Sequence, residues 1–149
     1  MMSKNQIASI IEFILIVVAL LYITSAFHEY VHLKVLQILG GDGYIISPME
    51  TIITASSSND TLMAFSGGLV TAGVLIVFFV LALKHDYIEL ASALFTHFSV
   101  QVGYGIYEGF YWKVPNPEYM IAGRLVALAS LAIGLIVSLF MLYELRLRR

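Results

Sequence analysis

Four long apolar runs, near residues 7–39, 62–83, 88–107 and 119–143, limit what this chain can fold into. Crossing about 30 Å of hydrocarbon takes roughly 20 helical residues, and each run reaches that length. The sequence is 60% hydrophobic and only 12% charged, too little polar surface for an ordinary soluble globule. The expected fold is an all-α integral membrane protein with four transmembrane helices in one domain, and the lipid bilayer is its main neighbour. A formal charge of −2 without a basic patch argues against nucleic acid as a partner.

Lys4 followed by an apolar run, with Thr24-Ser25-Ala26 beyond it, has the outline of a cleavable signal. The apolar core is longer than the usual ~7–15 residues, however. Apolar spacing also continues through Val31, Leu33, Val35, Leu36, Ile38 and Leu39 until Gly40-Gly41-Asp42-Gly43. The run therefore reads as one long, retained helix ending at the glycines. Residues 44–54 are rich in β-branched side chains (Ile45, Ile46, Thr51, Ile52, Ile53, Thr54) and broken by Pro48, which predicts one or two short strands. In the polar stretch that follows, Asn59, Asp60 or Thr61 can cap the second span. An even number of spans puts both termini on one side. Lys4, Lys84, Arg146, Arg148 and Arg149 would share it, against Lys34, Lys113 and Arg124 opposite, so the termini are expected to be cytoplasmic.

Within the first run stands His28-Glu29-Tyr30-Val31-His32. A helix turns about 100° per residue, so the two histidines share a face and can hold one metal ion, with Glu29 beside them as a general base. The chain has no cysteine, so a transition metal must be held by His, Asp or Glu. Zinc in a catalytic site takes a third protein ligand and leaves a position for water. Spans one and three run parallel, which places Glu108 at the depth of the motif. The third run also carries His97, Gln101, Tyr104 and Glu108 on one helical face, and polar groups in a bilayer turn toward the bundle interior.

The metal set is thus His28, His32 and Glu108, with Tyr104, Gln101 and His97 supporting the ligands or facing a substrate. A plainer role exists for several of these residues. Glu108 can reach the interface beside Tyr107, Tyr111 and Trp112. His97, roughly 16 Å from Glu108 along the helix, can be a hydrogen-bonded core residue. Gly67 and Gly68 can expose peptide groups to a substrate or simply let helices approach, and Gly103, Gly105 and Gly109 can bring spans one and three together.

A His-Glu-x-x-His inside a transmembrane helix, then a β-like segment, a Gly-rich span and a third span with an acid near its end, resembles the site-2 protease family of intramembrane zinc metalloproteases. The resemblance covers residues 7–109 and leaves the fourth span as an addition. It implies one zinc ion per chain, His28 and His32 as ligands and Glu29 as the catalytic glutamate. The family's third ligand is an aspartate in a Leu-Asp-Gly context. This chain has no Leu-Asp-Gly and offers Glu108-Gly109, with Pro115-Asn116-Pro117 after rather than before it.

The activity implied is cleavage of a peptide bond in or near a transmembrane segment of a protein substrate, by a water that zinc activates and Glu29 deprotonates. The substrate must unwind to expose its backbone. Residues 44–54 can then pair with it as an added strand, Asn59 and the Gly67-Gly68 backbone can orient it, and Tyr104 can stabilise the oxyanion. Two alternatives use the same residues: a zinc-dependent membrane lipid amidase and a non-catalytic metal-binding membrane protein. Four histidines are too few for a di-iron membrane hydroxylase.

Overall fold

A computed structural model describes residues 4–111 and 117–147. Helix α1 (Lys4–Ile38) leads into a hairpin of β1 (Asp42–Ser47) and β2 (Glu50–Ala55). Helices α2 (Asp60–Lys84), α3 (Ile88–Tyr111) and α4 (Pro117–Leu142) follow, and a π-helical turn spans Tyr143–Leu147.

Helix α1 stops where the glycines require it. Gly40 adopts φ +82°, the left-handed conformation that closes a helix, and Gly41 N–H donates to the Leu36 carbonyl at 2.9 Å. The chain then turns back on itself as an antiparallel hairpin pairing Tyr44 with Ile52 and Ile45 with Thr51. Pro48 and Met49 form its tip, so the expected short strands are two. A Cβ at Gly41 would run into Leu36, which is fully buried, and one at Gly43 into the Ile52 carbonyl with Leu36 close by, so the absence of side chains there seats the hairpin on the last turns of α1.

Helix α2 begins at Asn59, whose side chain accepts from Leu62 N–H at 3.0 Å, while Asp60 Oδ1 ties back the loop through Ser57 N–H and Oγ at 3.0 and 2.7 Å. Helix α3 is the centre of the bundle and packs on α1, α2 and α4. Gly68 and Gly105 face each other so closely that a Cβ on either would strike the other's Cα. On the opposite side, Gly134 of α4 lies against the Thr96 backbone. Thr96 Oγ1 there donates to Ser138 Oγ at 2.8 Å, and Ser138 Oγ donates to the Ser92 carbonyl at 2.6 Å.

The glycines of α3 do not bring spans one and three together as expected. Gly105 and Gly109 meet Gly68 and Phe65 of α2, and Gly103 meets Ser130 of α4.

Three helical segments are long and apolar enough to cross a membrane: Lys4–Ile38, Asp60–Lys84 and Ile121–Leu147. Helix α3 is not among them, so three of the four expected spans are shown. Its 24 residues include Glu89, Thr96, His97, Gln101 and Glu108, and these lower its apolar character. The first four of these are buried, whereas Leu15, Val18, Val77 and Ile136 on the other helices are more than half exposed. Polar inside and apolar outside is the pattern of a chain whose surroundings are lipid.

At the end of the bundle away from the hairpin, Glu89 accepts from Ser9 Oγ at 2.5 Å and from Arg146 Nε at 3.2 Å, linking α3 to α1 and to the π-helical turn. Gln6 Nε2 donates to the Leu147 carbonyl at 2.9 Å, so the two ends of the described chain lie together. Lys113, Trp112, Pro115, Asn116, Arg148 and Arg149 lie outside the described residues.

Candidate metal centre

The histidines at the fourth-residue spacing on α1 project together toward α3. Their Nε2 atoms are 2.8 Å apart, and Glu108 Oε2 lies 3.0 Å from that of His28 and 3.3 Å from that of His32. Both imidazoles are buried, at 4% and 8% exposure. Room for the second comes from Gly67 of α2, where a Cβ would overlap the His32 ring at Nε2, Cε1 and Cδ2. That glycine shapes the site through the side chain it lacks.

The other ring nitrogens are already engaged. His32 Nδ1 is 2.9 Å from the Met63 carbonyl and His28 Nδ1 is 2.6 Å from Gln101 Oε1. A carbonyl oxygen can only accept, so both Nδ1 atoms carry the proton and both Nε2 atoms present lone pairs. Two lone pairs and a carboxylate oxygen converging within 4.8 Å repel one another unless a cation, a proton or a metal ion, sits among them. A tetrahedral shell with ligand bonds of ~2.0–2.1 Å has edges of about 3.3 Å, close to the separations found here. Two neutral imidazoles and one carboxylate suit a divalent metal, and the group could hold one.

Gln101, on the polar stripe of α3, meets His28 of the cluster. Tyr104 is also at the site, its ring centroid 6.0 Å from that of His28.

No protein-family model, curated protein or solved structure matches this chain.

Glu29 lies beside the cluster rather than in it. It lines a cleft of about 190 Å³ together with His32, Glu108, Tyr104, Thr51 and Met49. Its Oε2 accepts from Thr51 Oγ1 at 2.7 Å, so strand β2 holds the carboxylate in the cleft wall. Sequence reading missed Thr51 as a site residue and took it only as a strand former. The signal was present in the strand period, since Thr51 and Ile53 fall on one face of β2 and both line this cleft. The Met63 carbonyl left no such trace, because a backbone atom has no side-chain signature.

Three expected participants are placed elsewhere. His97 sits in the core, its Nε2 2.8 Å from the Val17 carbonyl and its Nδ1 3.4 Å from Thr24 Oγ1, so it ties α3 to α1 and does not hydrogen-bond His28, His32 or Glu108. Asn59 is occupied as the cap of α2. Gly68 is closed off by Gly105, which leaves its peptide no room to meet a substrate.

Proposed function

We propose that this chain is a membrane-embedded zinc metalloprotease with His28, His32 and Glu108 as ligands and Glu29 as general base. The observation that carries the reading is the convergence of two Nε2 lone pairs and one carboxylate oxygen beside a cleft that His32 and Glu108 share with a further glutamate, Glu29. A structural metal site has no use for that glutamate, whereas hydrolysis needs a base within reach of a water. Zinc bound there supplies a water with a pKa near 7 and polarises the carbonyl under attack.

The chain's own groups do the remainder. Gln101 and the Met63 carbonyl fix the imidazole tautomers, which keeps both Nε2 atoms available as ligands. Glu29, oriented by Thr51, accepts the proton of the attacking water and delivers it to the leaving amine. Tyr104 stands beside the cleft to donate to the developing oxyanion. Strand β2 pairs only with β1 among the described residues, so its other edge can take an extended substrate segment by strand addition. The substrate class is a protein transmembrane segment unwound near the site, and the termini are assigned to the cytoplasmic side by the distribution of Lys and Arg.

The resemblance to site-2 proteases supports this reading, with glutamate in place of the family's aspartate. A second reading, hydrolysis of a fatty amide by the same centre, is favoured by an apolar cleft whose wall includes Phe27, the neighbour of His28.

The test is Glu29→Gln in protein reconstituted with a labelled transmembrane peptide. Metal content should be unchanged and cleavage abolished. Cleavage retained by the variant would defeat the mechanism, and a fatty amide hydrolysed in place of the peptide would select the second reading.

A further inference from the structure

An apolar cleft of about 480 Å³ separates α1 from α2, with α3 as its floor. Ile23 and Phe27 form one wall, Val74 and Phe78 the other, and Leu90 and Leu94 the floor. The cleft opens sideways, since Ile23 and Phe78 are 59% and 56% exposed on helices apolar enough to span a membrane. One end is at His85 and Tyr87, in the turn between α2 and α3, and the other is at Thr71.

The dimensions select the occupant. The wall from Thr71 to His85 is about 21 Å long at 1.5 Å per residue. Dividing the volume by that length gives a mean cross-section of about 23 Å² for the centres of water-sized atoms, a track about 5 Å across that becomes about 8 Å from wall to wall once a radius of ~1.4 Å is added on each side. A helix with its side chains is 10–12 Å across and cannot seat in it. An extended hydrocarbon chain, whose carbons pack at about 4 Å from their neighbours, fits. Among the described residues, the only polar side chains along the cleft besides Thr24 and Thr71 are His85 and Tyr87, in the turn that follows the apolar helix α2. Their ring N–H and phenol can meet an ester or phosphate there.

We infer that this cleft binds one fatty acyl chain of a bilayer lipid, with the headgroup at His85 and Tyr87 and the chain running inward to Thr71. The cleft contains none of the three candidate ligands and the inference does not rest on the proposed proteolysis; Phe27, next to His28, is the link on which the fatty-amide reading draws. Its inner end lies one helical turn from Gly67, against which His32 packs, so a resident chain fills the gap between α1 and α2 just beyond the metal site. Van der Waals fit, not transfer from water, is what holds a chain in such a cleft within a bilayer.

Photolabelling tests the inference. The full chain is reconstituted in nanodiscs of phosphatidylcholine bearing a diazirine in the acyl chain, irradiated, and its adducts are mapped by mass spectrometry. Adducts on the cleft walls should exceed those on Ile133 and Ile136, exposed residues of α4, by about tenfold, equivalent to about 1.4 kcal/mol. The excess should vanish in Val74→Trp and, separately, in Ile23→Trp. Both positions are already partly exposed, and helix content and thermal unfolding of each variant show whether the fold is kept. Equal labelling of cleft and α4 would mean only the ordinary lipid annulus and would overturn the inference. So would an excess that survives both substitutions, or preferential labelling of the cleft by a transmembrane peptide carrying the same diazirine.

Discussion

Thr51 Oγ1 lies 2.7 Å from Glu29 Oε2, so the hairpin and the helix that carries His28 and His32 are joined through the carboxylate proposed as base. The same hydroxyl is 3.5 Å from the Glu29 carbonyl, which places the strand directly over the residue. A substrate strand added to β2 would thus be registered to Glu29 through a single side chain.

Thr51→Val removes that hydrogen bond at nearly constant shape. The proposed reaction should slow by about 10- to 100-fold in kcat, since small losses of positioning are costly in catalysis. Metal content should not change, and Thr51→Ser should restore the rate. Steady-state kinetics with metal analysis of each variant checks both.

Gln101→Leu strips His28 Nδ1 of its acceptor. Metal affinity should fall by about 10- to 100-fold, the usual cost of losing a partner that orients a ligating histidine. Gln101→Glu keeps an acceptor and should bind at least as tightly as the Leu variant. Competition with a fluorescent chelator measures the difference.

Gly67→Ala places a methyl group where the His32 ring lies. The ring must leave its position or α1 and α2 must part, so metal binding should be lost and stability reduced by about 1–3 kcal/mol. Gly73→Ala is the matched control, because a Cβ there meets nothing within 4 Å. It should be neutral or stabilising by about 0.5–1 kcal/mol through helix propensity. Thermal unfolding in detergent, followed by metal analysis, compares the two.

Much of this arrangement was legible in the sequence, for reasons that can be stated residue by residue. The 3.6-residue period put His28 and His32 on one face and Gln101 and Glu108 on another, and the parallel run of spans one and three set the two faces at one depth. Gly40 and Pro48 marked the end of α1 and the hairpin tip by backbone chemistry alone. The role of His97 was ambiguous because a hydrogen-bonded core histidine and a site histidine have the same pattern, and only the Val17 carbonyl decides between them. The helix partners of Gly103, Gly105 and Gly109 depend on how α3 is rotated among three neighbours, which spacing does not encode. The same stripe that pointed to a site also makes α3 less apolar over a span's length than the other three helices, since Glu89, His97, Gln101 and Glu108 are polar whichever way they face.

Metal stoichiometry is the most direct test of the centre itself. Detergent-purified protein supplied with zinc and analysed by inductively coupled plasma mass spectrometry should carry one ion per chain, and His32→Ala and Glu108→Ala should each lose it while retaining helical content. Wild-type protein that stays free of metal, or that keeps its zinc in both variants, would contradict the three-residue centre and leave a proton as the cation between His28, His32 and Glu108.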